Sequence, residues 1–255
     1  MLKRILQVYE EEGIQGLASR LLDKFLRLKI LSPLAYRISM HKLEERKAEE
    51  SSLGDILDTA FNYRGVGVFR SLQPAQVPEE IKELSVLVEK VEPKTIMEIG
   101  TSKGGTFYIF TRYLDSASLL ISLDLPGGSF GGGYTESHLS LFNDFDREKD
   151  LRFIRKDSHQ KSTKEEVEII LGEKEIDFLF IDGDHSYKGV KSDFEMYSPL
   201  VSENGIIAFH DIVTGPKEIV GGVPEFWNEI KGSFHTREIV DNRQQKGFGI
   251  GVLFK

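Results

Sequence analysis

The chain has no cysteine in its 255 residues, so disulfides, thiolate metal sites and cysteine nucleophiles are excluded. Any metal must be held by oxygen or imidazole. Positive charge is also short. The 33 Lys and Arg against 41 Asp and Glu leave a formal charge of −8, which argues against a nucleic-acid partner, since such proteins carry a basic excess. No apolar run approaches the length of a membrane span, and MLKRILQVYEEEG lacks both the apolar core and the small-residue cleavage site of a signal peptide. A cytoplasmic location is therefore the expectation. Internal repeats and long low-complexity tracts are missing too. What is present, 40% hydrophobic and 29% charged residues, suffices for one sizeable α/β core with an appended segment.

The appendage comes first, and residues 1–65 read as a helical extension. Leu2, Ile5, Leu6 and Tyr9, then Leu17, Leu21, Leu22, Phe25, Leu28 and Leu31, recur at helical spacing with a break at Gly13 and Gly16. Such a stripe packs on its own domain or on a sister subunit, so a homo-oligomer built through these helices is one expectation. Arg20, Lys24, Arg27 and Lys29 leave a membrane surface as another. The charge-rich run from His41 to Ser52 reads as a solvated helix face or linker, and Asp55 to Tyr63 as a short helix. The glycine-dotted RGVGVFRSLQPAQ reads as a loop, after which Pro78 starts a helix with Ile81, Leu84, Leu87 and Val88 on its apolar side.

From there to residue 255, strand and helix signals alternate. Strands are predicted over Thr95–Ile99, Leu119–Asp124, Leu151–Arg155, Ile176–Ile181, Gly205–Phe209, His235–Val240 and Gly247–Phe254, with helical patterns between most of them. That alternation predicts a Rossmann-like, doubly wound, mostly parallel α/β sheet over residues 66–255. The last two strands follow without a helix between them, which predicts an antiparallel end. Ligands of such sheets bind beyond the carboxyl ends of the strands, and here those ends are acidic: Glu98, Asp124, Asp157, Asp182 and His210-Asp211. Capping of the following helices is the alternative use of these acids.

The sheet's first turn is KTIMEIGTSKGGT, Lys94 to Thr106. It reads as a buried strand, a glycine turn and a helix start, in which Gly100 and Gly104 permit the turn and the close approach of a ligand to the main chain. Ser102 stands where a dinucleotide fingerprint has its second glycine, and Glu98 would repel a pyrophosphate. A ligand bearing an ammonium and a sulfonium suits that carboxylate better. The acid-x-Gly pattern resembles the first motif of class I methyltransferases dependent on S-adenosylmethionine (SAM). A nicotinamide oxidoreductase is the reading that Ser102 and Glu98 disfavour. Asp124 lies 124 − 98 = 26 residues after Glu98, with one helix between, and an acid there accepts from two ribose hydroxyls. The competing reading is a turn aspartate before Leu125-Pro126. Phe130 and Tyr134, in the run with five glycines between Gly127 and Gly133, are candidates for a lid over the ligand.

The segment IDGDHSY with K-G-V-x-x-D, followed by GIIAFHD, resembles the small-molecule O-methyltransferase family that includes macrocin-type sugar O-methyltransferases and relatives of the cephalosporin-hydroxylase-associated proteins. The resemblance spans roughly residues 70–255. It implies SAM as methyl donor, held by Glu98, Gly100, Thr101, Gly104 and Asp124, with Asp157 and Ser158 at the adenine. It implies a small hydroxylated acceptor such as a sugar unit, and a divalent cation, Mg²⁺ or Mn²⁺, on Asp182, His210 and Asp211. His210 departs from the acid-acid or acid-amide pair of that family, so the metal differs, or His210 stands back from it, or there is none. His185 lies 185 − 182 = 3 residues after Asp182 and matches the family's general base, with a helix-start histidine bonded to Asp184 as the alternative. His41, His138, His159 and His235 read as surface or packing residues, and Trp227 as a helix anchor. A binding module in which Asp182, His210 and Asp211 only cap helices is the competing functional class.

Overall fold

The computed structural model describes residues 32–127 and 133–255. The first apolar stripe, residues 2–31, and Phe130 of the glycine-rich run lie outside the described residues. Two helices, α1 (Ser32–Glu49) and α2 (Leu53–Asn62), precede α3 (Pro78–Glu89). Then come β1 (Thr95–Ile99), α4 (Gly105–Tyr113), β2 (Leu119–Leu123), α5 (Glu136–Phe142), β3 (Asp150–Ile154), α6 (Lys161–Leu171), β4 (Ile176–Ile181), α7 (Tyr187–Tyr197) and β5 (Val201–His210). The chain ends with α8 (Lys217–Val220), α9 (Val223–Ile230), β6 (His235–Ile239) and β7 (Ile250–Phe254).

The strands form one sheet in the order β3-β2-β1-β4-β5-β7-β6. The first five are parallel, and β7 runs antiparallel between β5 and β6, as the missing helix before it predicts. Side chains alternate between the two faces of a strand, and both faces are covered here. Ile96, Phe178, Phe180, Ile206 and Ala208 point into a core shared with α1 to α5. Met97, Ile99, Leu179, Ile181, Ile207 and Phe209 point into a second core with α6, α7 and α9. Each fully buried ring in these layers, among them Phe110, Phe178, Phe209 and Trp227, contributes roughly 1.5–3 kcal/mol of burial free energy. Trp227 anchors α9 as expected: its indole N–H donates to Glu238 at 2.7 Å, and Gly251 is bare so that the ring can lie on β7.

The helices α1 and α2 are built into the first core. Ala35, Met40 and Leu43 of α1 and Ile56, Leu57 and Ala60 of α2 are buried in the same cluster as Phe107 and Phe110 of α4. The charged run from His41 is thus the outer face of a docked helix. Its end is fixed by Glu50, which accepts from the Tyr108 hydroxyl and from Arg112 Nε at 3.0 Å.

Candidate active site

Strand register puts the site together. Ile99 pairs with Leu123 on one side and Ile181 on the other, and Ile181 pairs with Phe209. The next residue of each strand therefore falls in one row at the carboxyl edge: Gly100, Asp124, Asp182 and His210. Strand order reverses between β1 and β4, which is where such sheets open a crevice. A cleft of about 400 Å³ lies there, lined by the glycine turn Gly100–Lys103, the start of α4, residues 73–76 and Asp182.

The turn needs its glycines. Gly100 has φ +94°, and a Cβ on it would fall on the Asp182 carbonyl. Gly104 has φ +84° and lies against the Phe142 ring, while a Cβ on Gly105 would strike the Leu72 carbonyl and Pro74 that roof the cleft. Ser102, at φ +50°, takes a conformation few side chains adopt, and its N–H donates to Asp124 Oδ2 at 2.5 Å. Asp124 is buried, which pushes its carboxyl up to about 6 despite the amides of Ser102 and Leu125. It is the β2-end acid, standing beside the cleft's glycine turn.

Asp182 is the hub. Its Oδ2 accepts from Gln76 Nε2 at 2.6 Å, while Oδ1 faces His210 Nδ1 at 3.1 Å and His185 Nε2 at 3.3 Å. Burial alone would raise its carboxyl, but the His210 and His185 imidazoles hold it well below the usual carboxylate range. His185 has Nδ1 2.6 Å from the Ile219 carbonyl and 3.3 Å from Asp211 Oδ2. Burial disfavours its charged form, yet the Asp182 and Asp211 carboxylates win and lift it to about 9. Asp211, at φ +62°, accepts the Phe248 N–H at 2.9 Å, and burial pushes its carboxyl up against the opposing pull of His210. His210 is 3% exposed, with Nε2 buried and unbonded, and its two aspartate neighbours raise it although burial works the other way.

The start of α3 braces this arrangement from outside. Gln76 holds Asp182. Glu80, four residues on and fully buried, accepts from the backbone N–H groups of Asp241 and Gly249 and from Gln245 Nε2, and so pins the β6–β7 connection whose Phe248 holds Asp211.

Residues 97–212 match the family Methyltransf_24, a methyltransferase domain. The match covers less than half of the chain, from β1 to the end of β5, and makes this segment similar to methyltransferase domains. In fold the chain is similar to the O-methyltransferase from Bacillus cereus in complex with SAH (TM-score 0.52, 16% identity, 85% of this chain and 90% of that one). It is similar also to TomG from Streptomyces achromogenes, an O-methyltransferase of tomaymycin synthesis solved with SAM (TM-score 0.53, 17% identity, 80% and 90%). A curated relative, the uncharacterized protein y4gI of Sinorhizobium fredii, is 29% identical over 174 residues, which are 66% of this chain and 18% of that protein. The chain therefore spans under a fifth of that relative's length.

Gly100, Thr101 and Gly104 belong to the glycine turn, and Asp182, expected at a cation, lines the same cleft as Gly100 and Thr101. Glu98 does not open to the cleft. It shares the inner face of β1 with Ile96, accepts from the Thr106 hydroxyl, and is pushed by burial up to about 8, with the Thr106 and Thr101 hydroxyls only partly drawing it back. Tyr134 is likewise no cover for a ligand: it is 2% exposed and its hydroxyl accepts from Ser122 at 3.1 Å. Asp157 caps the turn before α6, accepting from His159 N and Gln160 Nε2, and the Ser158 carbonyl accepts from the Tyr197 hydroxyl. The anticipated cation on Asp182, His210 and Asp211 meets a different arrangement. Asp182 and Asp211 both turn an oxygen to His185, whose ring stands between them, and among the described residues no group of three or more His, Asp or Glu side chains is disposed to hold a metal. These donors, as arranged, do not fit a metal centre. Gln76 and Glu80 escaped sequence reading. The only signal was Gln76's place between Pro74 and Pro78, two residues that stiffen an otherwise plain loop.

Among the described residues no helix is long and apolar enough to cross a membrane.

Proposed function

We propose that the chain transfers a methyl group from SAM to a hydroxyl of a small acceptor, a sugar unit being the type. The observation that carries this reading is Asp182. Asp182 lines the cleft beside the glycine turn, its Oδ2 holds Gln76 and its Oδ1 faces two histidines, so a nucleoside site and an acid-base pair share one carboxylate.

SAM supplies a methyl group on a sulfonium. The acceptor oxygen attacks the methyl carbon in line, the carbon–sulfur bond breaks, and the hydroxyl proton must leave. His185 is the group to take it. The Ile219 carbonyl keeps a hydrogen on Nδ1, so the neutral ring offers Nε2, on the Asp182 side. Asp182 then steadies the imidazolium that forms. With its pKa near 9, His185 is mostly charged at neutral pH, so its work as a base grows as pH rises. A sulfonium arriving alongside opposes that charge and favours the neutral ring. No step passes through a cation.

Titration calorimetry with SAH tests the cofactor half of this reading. Asp124→Ala removes the acid at the end of β2 and should weaken SAH by about 1–3 kcal/mol, the cost of leaving hydrogen-bonding partners unmet. Unchanged affinity in Asp124→Ala, or tight NAD binding by the native chain, overturns it.

A further inference from the structure

The segment Gln73–Gln76 roofs the cleft opposite the glycine turn and reaches it only because Gly105 carries no side chain where Leu72 and Pro74 pass. Gln76 is 5% exposed, and its side chain lines the cleft. Its amide orientation is fixed by its neighbour. Asp182 is an acceptor, so the Gln76 Nε2 must turn to it, at 2.6 Å, and the amide oxygen is left over. That oxygen, Oε1, is buried with no hydrogen-bond partner. Buried acceptors are nearly always matched, and one held without a match at the wall of a cleft marks the place of a ligand's donor.

What donor belongs there follows from the surroundings. Asp182, whose carboxylate is held ionised, bonds this same amide, and a carboxylate beside the amide favours a donor that carries positive charge. Among the described residues that line the cleft, the basic one is Lys103, in the turn before α4. Resting on the SAM reading above, we infer that Gln76 is a cofactor-contacting residue whose amide oxygen accepts a hydrogen from the α-ammonium of the cofactor's amino-acid end. Asp182 therefore serves two ligands through two oxygens. Oδ1 steadies the base that works on the acceptor, and Oδ2 holds Gln76 in place for the cofactor.

The test uses the full chain and three probes in calorimetry: SAH, its analogue lacking the α-amino group, and 5′-methylthioadenosine, which lacks the whole amino-acid end. The native chain should prefer SAH to the deaminated analogue by roughly 10- to 100-fold, the worth of a hydrogen bond to a charged group. Gln76→Leu, close in volume, should lose most of that preference and leave 5′-methylthioadenosine binding within about twofold of native. Equal weakening of SAH and 5′-methylthioadenosine in Gln76→Leu would mean that the residue merely supports the fold, and overturns the inference. So would a native chain indifferent to the amino group, a result that stands even if the variant does not fold. A native chain that binds neither SAH nor 5′-methylthioadenosine would instead defeat the methyltransfer reading on which this rests.

Discussion

Two histidines in this chain each stand between two aspartates, and the difference between them shows what makes a charged cluster a site. His185 lies between Asp182 and Asp211, at 3.3 Å from each. His159 lies between Asp193, at 3.3 Å, and Asp157, at 3.7 Å. Both imidazoles are raised to about 9 by their carboxylates. By composition and charge alone they are the same object. Their settings differ. Asp182 lines the cleft and so joins His185 to it, whereas Asp193 is fully buried on α7, below Gly183, and neither it nor His159 lines the cleft. The first cluster faces a space for a ligand; the second ties the β3–α6 turn to α7. A perturbed pKa marks a candidate site only where geometry leaves something to act on.

The largest effect that separates the clusters should come from their histidines in an activity assay. His185→Ala should lower turnover by about 10²- to 10⁴-fold, the range for loss of a general base, with SAH affinity little changed. In the native chain turnover should climb with pH and level off near 9, where His185 loses its extra proton. Loss of that rise in His185→Ala is the signature. A flat native profile, or a variant as active as native, removes His185 from the proton path. His159→Gln should leave turnover and its pH profile alone.

The second contrast is stability, and here His159 should matter more. Replacing it by Gln takes the cation from beside a carboxylate that burial already pushes up, and should cost about 1–3 kcal/mol. The sign of the pH dependence follows from the direction of the shift. The folded pKa of His159, near 9, lies above its ordinary value of 6.5, so its stabilisation is complete below about pH 6.5 and disappears as pH rises through 9. Thermal melts across that window should show the native chain losing stability relative to His159→Gln. Parallel curves would mean that the ion pair does not hold the turn.

How much of this contrast the sequence discloses depends on the range of each contact. All seven strands are legible, the buried β1, β2, β4 and second half of β5 as largely apolar runs bounded by turns, and the register of these four aligns Gly100, Asp124, Asp182 and His210. The burial of Glu98 is also written locally, since it stands two residues from Ile96 on the same strand face. Gln76 is different. Its partner Asp182 is 106 residues away, and nothing in the local periodicity of a loop shows which way an amide points. The same holds for Glu80, whose partners lie beyond residue 240, and for His159, which as an isolated imidazole near a turn reads as a surface residue until Asp193 is brought beneath it.

The smallest effect tests whether the second cluster is as separate as the geometry makes it. Asp157 belongs to that cluster, yet it lies three residues past the end of β3, at the position to which the family resemblance assigns adenine recognition. Its carboxyl lies below the usual range, chiefly through the Gln160 side chain, and it accepts the His159 N–H at 2.9 Å. Asn preserves that turn, because its amide oxygen accepts the same backbone hydrogen. Asp157→Asn should therefore move stability by no more than about 0.5 kcal/mol, as surface substitutions do. If the carboxylate also accepts the adenine amino group, SAH should weaken by about 1 kcal/mol, near fivefold, because one acceptor oxygen becomes a donor. We expect that loss, measured by calorimetry beside an unchanged melting temperature. It would make the β3 turn a shared boundary, with Asp157 facing the nucleoside and His159 facing the core. An unaltered SAH affinity would confine the whole second cluster to structure and move the adenine contact to another residue.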